Sequence, residues 1–220
     1  MPEPSLAERA RRHAALGDPV RLAIVEELIS SDRTSLELQE RSGLASNALA
    51  YHLDVLEQAG LITRCQSSGD RRRRYICLRR SALPDSPARE VVVPESALFI
   101  CTQNSARSPL AAALWRQLTS NSATSAGTHP ASQIHNGAVA AGRRAGVDLS
   151  TTRPRHLDEV STPPALVVTV CDRAHEELDP EPDWLHWSLP DPAEIGTKAA
   201  FDATVRELRD RISTLADTAA

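Results

Sequence analysis

The chain has 220 residues and a formal net charge of −4, from 25 basic and 29 acidic side chains. That length suits one large domain or two small ones, and the charge excludes a histone-like polycation while leaving room for a local nucleic-acid surface. The 41% apolar fraction supports a packed core, and the 3% of aromatic residues argues against base-stacking platforms. No apolar run approaches the ~20 residues of a membrane span. The opening Met1-Pro2-Glu3-Pro4-Ser5 lacks the charged and apolar regions of a signal peptide. Four Cys at uneven spacing make no disulfide framework. The expectation is a cytoplasmic protein with reduced thiols.

Charge divides the chain. Residues 1–85 hold 13 basic and 12 acidic residues, and residues 86–220 hold 12 and 17. Between the halves, Leu83-Pro84-Asp85-Ser86-Pro87 reads as a linker. The expected organisation is a domain over 1–82, a linker over 83–95 and a second domain over 96–220.

In the first half, a helix is predicted over 6–16. Asp18 caps a second helix, with Pro19 at its first position, running to about Ile29. Ser35 opens a short helix that Gly43 closes. Ser46 caps a longer one through Gln58, with Leu49, Leu53 and Leu56 at helical spacing, and Gly60 ends it. Residues 61–65 and 74–78 alternate like strands around the turn Ser67-Ser68-Gly69-Asp70. The second half alternates strand and helix. Strands are predicted at 97–101, 123–126, 165–170 and 184–187, with helices at 109–118, 136–145, 174–177 and 199–216. Apolar strand-length runs between helices predict a parallel sheet covered on both faces. The last helix, with Val205, Leu208, Ile212 and Leu215 at helical spacing, is expected to cover it.

Two short helices joined by a Gly-containing turn, followed by a hairpin, predict a winged helix-turn-helix. Its second helix would enter the major groove and offer Ser46, Asn47, Ala50, Tyr51 and His52. The hairpin cations Arg71, Arg72, Arg73 and Arg74 suit phosphate or minor-groove contact. The competing reading is a small helical domain with a solvated charge run. The run Leu16-Gly17-Asp18-Pro19-Val20-Arg21-Leu22, the segment Tyr51-His52-Leu53-Asp54-Val55-Leu56 and Ala59-Gly60-Leu61-Ile62 resemble the ArsR-type bacterial repressors over residues 5–80. That resemblance implies operator DNA as partner and a homodimer. Many arsenic sensors of that family carry a Cys pair or triplet on the first helix of the turn motif. This chain has Leu36-Glu37-Leu38-Gln39-Glu40 there, so metalloid sensing at that place is not expected.

Cys101-Thr102-Gln103-Asn104-Ser105-Ala106-Arg107-Ser108 follows an apolar strand and precedes a helix. A loop curling into a helix N-terminus aims several backbone N–H groups at one spot. Arg107 adds a planar fork for two oxyanion oxygens, and together they are expected to depress the Cys101 thiol toward thiolate. Ser108 can hydrogen-bond the sulfur, and Asn104 can tolerate a left-handed backbone or tie the loop by its amide. The site would take a tetrahedral oxyanion and attack it in line. Asp191, in Leu189-Pro190-Asp191-Pro192-Ala193, is the candidate acid for the departing oxygen. The spacing Cys65-x5-Arg71 also fits, but it spans a hairpin turn, contains Asp70 and opens no helix.

These residues, with Ser125-Ala126-Gly127-Thr128, Val168-Thr169-Val170-Cys171 and His186-Trp187, resemble the low-molecular-weight tyrosine phosphatase fold and, within it, the arsenate reductases. The resemblance covers about residues 96–218. It implies arsenate or phosphate as the oxyanion, with an external low-molecular-weight thiol or a redoxin such as thioredoxin as reductant. It also makes Cys101 the nucleophile and Cys171 a second thiol, which reads equally well as a buried Cys at a strand end. The third Cys of the thioredoxin-coupled relay would fall at Leu178, and the loop Cys before the Arg is Ala106. Gln103 replaces a Gly common in the phosphatases. Cys65 and Cys77, on the wing strands, are expected to be structural. The seven His show no metal-ligand spacing, so neither metal nor bound cofactor is expected. The implied fold class is α/β: a mainly helical winged helix-turn-helix, then a parallel-sheet domain. Three functions compete: a reductase tethered to its regulator, a phosphatase, and a catalytically idle oxyanion-sensing repressor.

Overall fold

The computed structural model describes residues 4–83, 94–178 and 180–217, the side chain of Asp217 excepted; residues 84–93 of the expected linker lie outside them. The chain divides into two compact units.

The first unit holds helices α1 (Leu6–Leu16), α2 (Pro19–Ser30), α3 (Ser35–Ser42) and α4 (Ser46–Gln58). Side chains start three of them. Ser5 and Glu8 form a capping box on α1, Asp18 Oδ1 accepts from Val20 N–H and Arg21 N–H at 3.0 Å on α2, and Thr34 and Glu37 form a second box on α3. Gly43 ends α3 at φ 67°, a left-handed conformation that suits glycine. Ser46 was expected to cap α4, but Ala45 holds that position with no side-chain bond. The Ser46 hydroxyl instead donates to Gln39 Oε1 at 2.9 Å, tying α4 to α3. The hairpin strands β2 (Ile62–Gln66) and β3 (Arg74–Leu78) pair antiparallel. A two-residue strand, β1 (Arg33–Thr34), adds to β3 on the other side and is too short to leave a periodic signal. Ile24, Leu28, Leu53, Leu56, Leu61 and Ile76 form the core.

The second unit is a four-stranded parallel sheet of β4 (Ser96–Cys101), β5 (Ser122–Gly127), β6 (Leu166–Thr169) and β7 (Leu185–His186), in the order β5-β4-β6-β7. Its helices are α5 (Arg107–Thr119), α6 (Asn136–Arg144), α7 (Asp172–Leu178), the short α8 (Pro192–Ile195), and α9 (Lys198–Asp217). Phe99 is fully buried between Trp115 and Trp187, with ring centroids at 5.9 and 5.8 Å. Val205, Leu208 and Ile212 of α9 join the same core. Because β4 lies between β5 and β6, the connections leaving β4 and β5 run to opposite sides. Such a reversal opens a crevice at the carboxyl ends of the strands. Cys101 ends β4 at that crevice. No helix among the described residues is long and apolar enough to cross a membrane.

Candidate active site and nucleic-acid interface

Residues 102–106 link β4 to α5, and hydrogen bonds to the next segment set their direction. Thr128 N–H donates to Cys101 O at 3.2 Å, His129 N–H to Thr102 O at 2.8 Å, Ala131 N–H to Gln103 O at 2.9 Å, and His135 N–H to Ser105 O at 2.9 Å. In a trans peptide the carbonyl and the following N–H point opposite ways. With these carbonyls engaged by the next segment, the N–H groups that follow them face the opposite way. That of Asn104 meets the Cys101 sulfur at 3.2 Å.

Asn104 holds the loop together. Its backbone is left-handed at φ 47°, which Asn tolerates better than most residues. Its Nδ2 donates to Ser108 Oγ at 2.9 Å, and its Oδ1 accepts from Arg155 N–H at 3.0 Å. Ser108 Oγ lies 3.0 Å from the Cys101 sulfur. Gly127 makes the close approach possible, because a Cβ there would stand 2.6 Å from Thr102 O. Neither Arg155 nor Gly127 was singled out as a site residue by sequence reasoning. Arg155 has no motif around it, and Gly127 appears only within the Ser-Ala-Gly-Thr resemblance.

Arg107 is buried, and its Nη1 donates to Leu189 O at 2.9 Å while Nη2 pairs with Asp191 Oδ2 at 2.5 Å. A guanidinium has five N–H donors, so three are left over from these two bonds for an oxyanion. Burial works against its charge, but Cys171, Cys101, Asp191 and Asp172 outweigh that and hold Arg107 protonated. Asp191 also caps α8, its Oδ1 accepting from Ala193 N–H at 2.9 Å. The mouth of the site is lined by Gln103, His135, Cys171, Arg173, Asp191 and Glu194.

The thiol expectation needs correction. Burial pushes the Cys101 thiol above its ordinary value, while Arg107 and Ser108 pull it down and Cys171 adds to the rise. The sulfur is nearly sealed, at 2% exposure for the residue. Arg107, moreover, spends part of its fork on Leu189 and Asp191. Cys171 is buried at the carboxyl end of β6, with its sulfur 3.2 Å from Thr102 Oγ1. The structure therefore brings together Cys101, Thr102, Gln103, Asn104, Ser105, Ala106, Arg107, Ser108, Cys171 and Asp191. Among the described residues, no group of three or more His, Cys, Asp or Glu is placed to hold a metal ion.

On the first unit, Ser46, Asn47, Ala50 and Tyr51 are exposed along α4, with Tyr51 at 62%. Arg71, Arg72, Arg73 and Arg74 are exposed at the hairpin. His52 departs from expectation. It lies three residues after Leu49 and four before Leu56, on the buried stripe of the helix. Its Nδ1 faces Asp18 Oδ1 at 3.8 Å, and its side chain is only 15% exposed.

A loop at a helix N-terminus, a buried thiol and a buried guanidinium at the carboxyl end of a parallel sheet make a pocket whose chemistry suits a tetrahedral oxyanion. The sequence model of the family described as low molecular weight phosphotyrosine protein phosphatase matches residues 96–220, and the chain belongs to that family. A helix-turn-helix domain matches residues 16–65. Solved structures that resemble the chain include the following three. An arsenate reductase in the phosphate binding state is 21% identical, with 55% of this chain and 95% of that one covered at a TM-score of 0.46. An arsenate reductase from Archaeoglobus fulgidus is 26% identical, over 54% and 97%, at 0.45. The YwlE arginine phosphatase from Geobacillus stearothermophilus is 26% identical, over 56% and 91%, at 0.48. No curated protein matches the chain.

Proposed function

We propose that this chain is a cytoplasmic, homodimeric DNA-binding regulator whose second domain reduces arsenate to arsenite. The observation that carries the reading is the second thiol: Cys171 stands on the wall of the loop that holds Cys101, against Thr102. A phosphatase needs one thiol, whereas a two-electron reduction uses two.

The Cys101 thiolate attacks arsenic in line and a hydroxyl leaves as water, aided by Asp191 at the mouth. The loop N–H groups and Arg107 hold the remaining oxygens. Cys171 then attacks the Cys101 sulfur. The S–S bond forms as the S–As bond breaks, and its electron pair stays on arsenic, which leaves as arsenite. Two thiols and one arsenic acid thus give one disulfide, one arsenous acid and one water. An external low-molecular-weight thiol or a redoxin restores the two thiols.

The phosphatase reading rests on the same loop and on Asp191, and it makes Cys171 dispensable. Incubating the protein with arsenate and candidate thiols or redoxins, with para-nitrophenyl phosphate in parallel, separates the two. Arsenite formation that needs Cys171 supports the proposal. Phosphate release without arsenite formation overturns it.

For the first domain, operator DNA is the partner, read by Ser46, Asn47, Ala50 and Tyr51 from the major groove and held at phosphate by the four hairpin arginines.

A further inference from the structure

Behind Cys171 lies a buried polar network that the chemistry above does not use. Thr169, Asp172, His175 and His186 are 0%, 2%, 7% and 0% exposed. The His175 and His186 rings stack with centroids 4.0 Å apart. Thr169 Oγ1 lies 2.9 Å from Nδ1 of each ring and 3.2 Å from Leu185 O. His186 Nε2 lies 3.0 Å from Asp172 Oδ1. A carboxylate only accepts, so His186 carries a proton on Nε2. Burial acts to raise the Asp172 carboxyl, but hydrogen bonds, among them those from His186 and Ser188, carry it below its ordinary value.

The network encloses Cys171 from both sides along the chain. Thr169 is two residues before it and Asp172 one residue after, and His186 grips both. Backbone bonds add to the clamp: Trp187 N–H donates to Thr169 O at 2.8 Å, and His175 N–H donates to Cys171 O at 3.0 Å. In the parallel register Thr169 pairs with Ile100. Cys101 ends β4 and Cys171 follows β6 by two residues, so both stand at the carboxyl ends of neighbouring strands. Buried polar groups cost stability unless they are satisfied. Four of them packed together beside Cys171 call for an account.

We infer that His186 is a positioning residue for Cys171: through Thr169 and Asp172 it fixes the second thiol in line with the Cys101 sulfur. The inference rests on the reading of Cys171 as the second thiol of the reaction. Misplacing a reacting atom by about 1 Å can cost on the order of 10²-fold in rate, so a clamp of this kind has a measurable effect.

The test uses the full chain and diamide, which takes one hydrogen from each of two thiols and becomes the hydrazine as the disulfide forms. The rate of Cys101–Cys171 disulfide formation, read by mass of the linked peptides, is divided by the rate of Cys101 alkylation at the same pH. His186→Phe and Thr169→Val are expected to lower this ratio about tenfold or more, with Cys101 alkylation and its protection by inorganic phosphate unchanged. His186→Gln, which keeps a donor for Asp172, is expected to recover part of it. An unchanged ratio in both disruptive variants overturns the inference and leaves Cys171 as the second thiol. Cys101 alkylation slowing in step with the disulfide overturns it too, since the network would then be general scaffolding. Should His186→Phe fail to fold, the near-isosteric Thr169→Val decides alone. A wild-type protein that forms no Cys101–Cys171 disulfide overturns both this inference and the two-thiol reading.

Discussion

Thr102 Oγ1 and the Cys171 sulfur lie 3.2 Å apart, so the oxyanion loop and the second thiol share one wall. Thr102 is the residue after Cys101 and Cys171 follows the neighbouring strand. The contact thus turns the parallel pairing of β4 and β6 into a pair of thiols at one crevice.

Cys101 should alkylate on the alkaline side of an ordinary thiol, because burial raises it. An acid whose folded value is raised keeps its proton where the unfolded chain loses it. Stability from this group therefore falls as pH rises past the unfolded thiol value of about 8.5. Iodoacetamide rates against pH should show a midpoint above that of a free thiol. Ser108→Ala should move it further up, since the Ser108 hydroxyl lowers it. A midpoint at or below the ordinary value contradicts this account of the buried sulfur.

Gly127→Ala should abolish phosphate protection of Cys101 while the protein stays folded. The added Cβ meets Thr102 O at 2.6 Å and Asn104 at 3.0 Å, and both belong to the loop rather than to a flexible side chain. Phosphate binding measured by calorimetry should fall by at least tenfold. Unchanged binding would mean that the loop relaxes without cost.

Asp172 contributes stability that is present above the unfolded carboxyl value of about 3.9 and is lost as pH falls through its lower folded value. The sign follows from a folded value held below the ordinary one. Chemical denaturation carried from neutral pH to below the ordinary carboxyl value of about 3.9 should show a shallower acid loss for Asp172→Asn than for wild type. Parallel curves would remove Asp172 from the acid response.

Changing Arg71, Arg72, Arg73 and Arg74 together to Ala should weaken DNA binding across sequences and flatten its salt dependence. Asn47 or Tyr51 substitutions should alter sequence preference instead. His52→Ala should act on stability rather than preference, because its ring faces Asp18. An arginine variant with wild-type affinity at moderate salt would show that the hairpin does not reach phosphate. Arsenate or arsenite is further expected to weaken DNA binding of wild type but not of Cys101→Ser, by about 5–150-fold for a coupling of about 1–3 kcal/mol. Unchanged affinity at saturation would mean two independent activities on one chain.

Much of this was legible before the structure, because local chemistry wrote it. Asp18 and Pro19 start α2, Gly43 and Gly60 stop their helices, and an apolar strand followed by Cys-x5-Arg-Ser opens the oxyanion loop. What stayed hidden depends on distant partners. Ser46 looks like a cap until Gln39 is placed beside it. His52 looks like a groove residue until Asp18 is brought against it. The Cys101 thiol looks activated until its burial and the Arg107–Asp191 pair are seen. Thr169, Asp172 and His175 lie within one turn from strand to helix, and only the pairing of β6 with β7 brings His186 among them, so no spacing announces the four as a network.

The most direct measurement is single-turnover arsenite formation by wild type, Cys101→Ser and Cys171→Ser, with the protein's own thiols as the sole reductant. The two-thiol account predicts about one arsenite per wild-type chain, a Cys101–Cys171 disulfide in the product, and none of either in the two variants. Arsenite formed by Cys171→Ser at the wild-type level, or aryl phosphate turnover with no arsenite from any of the three, would contradict it.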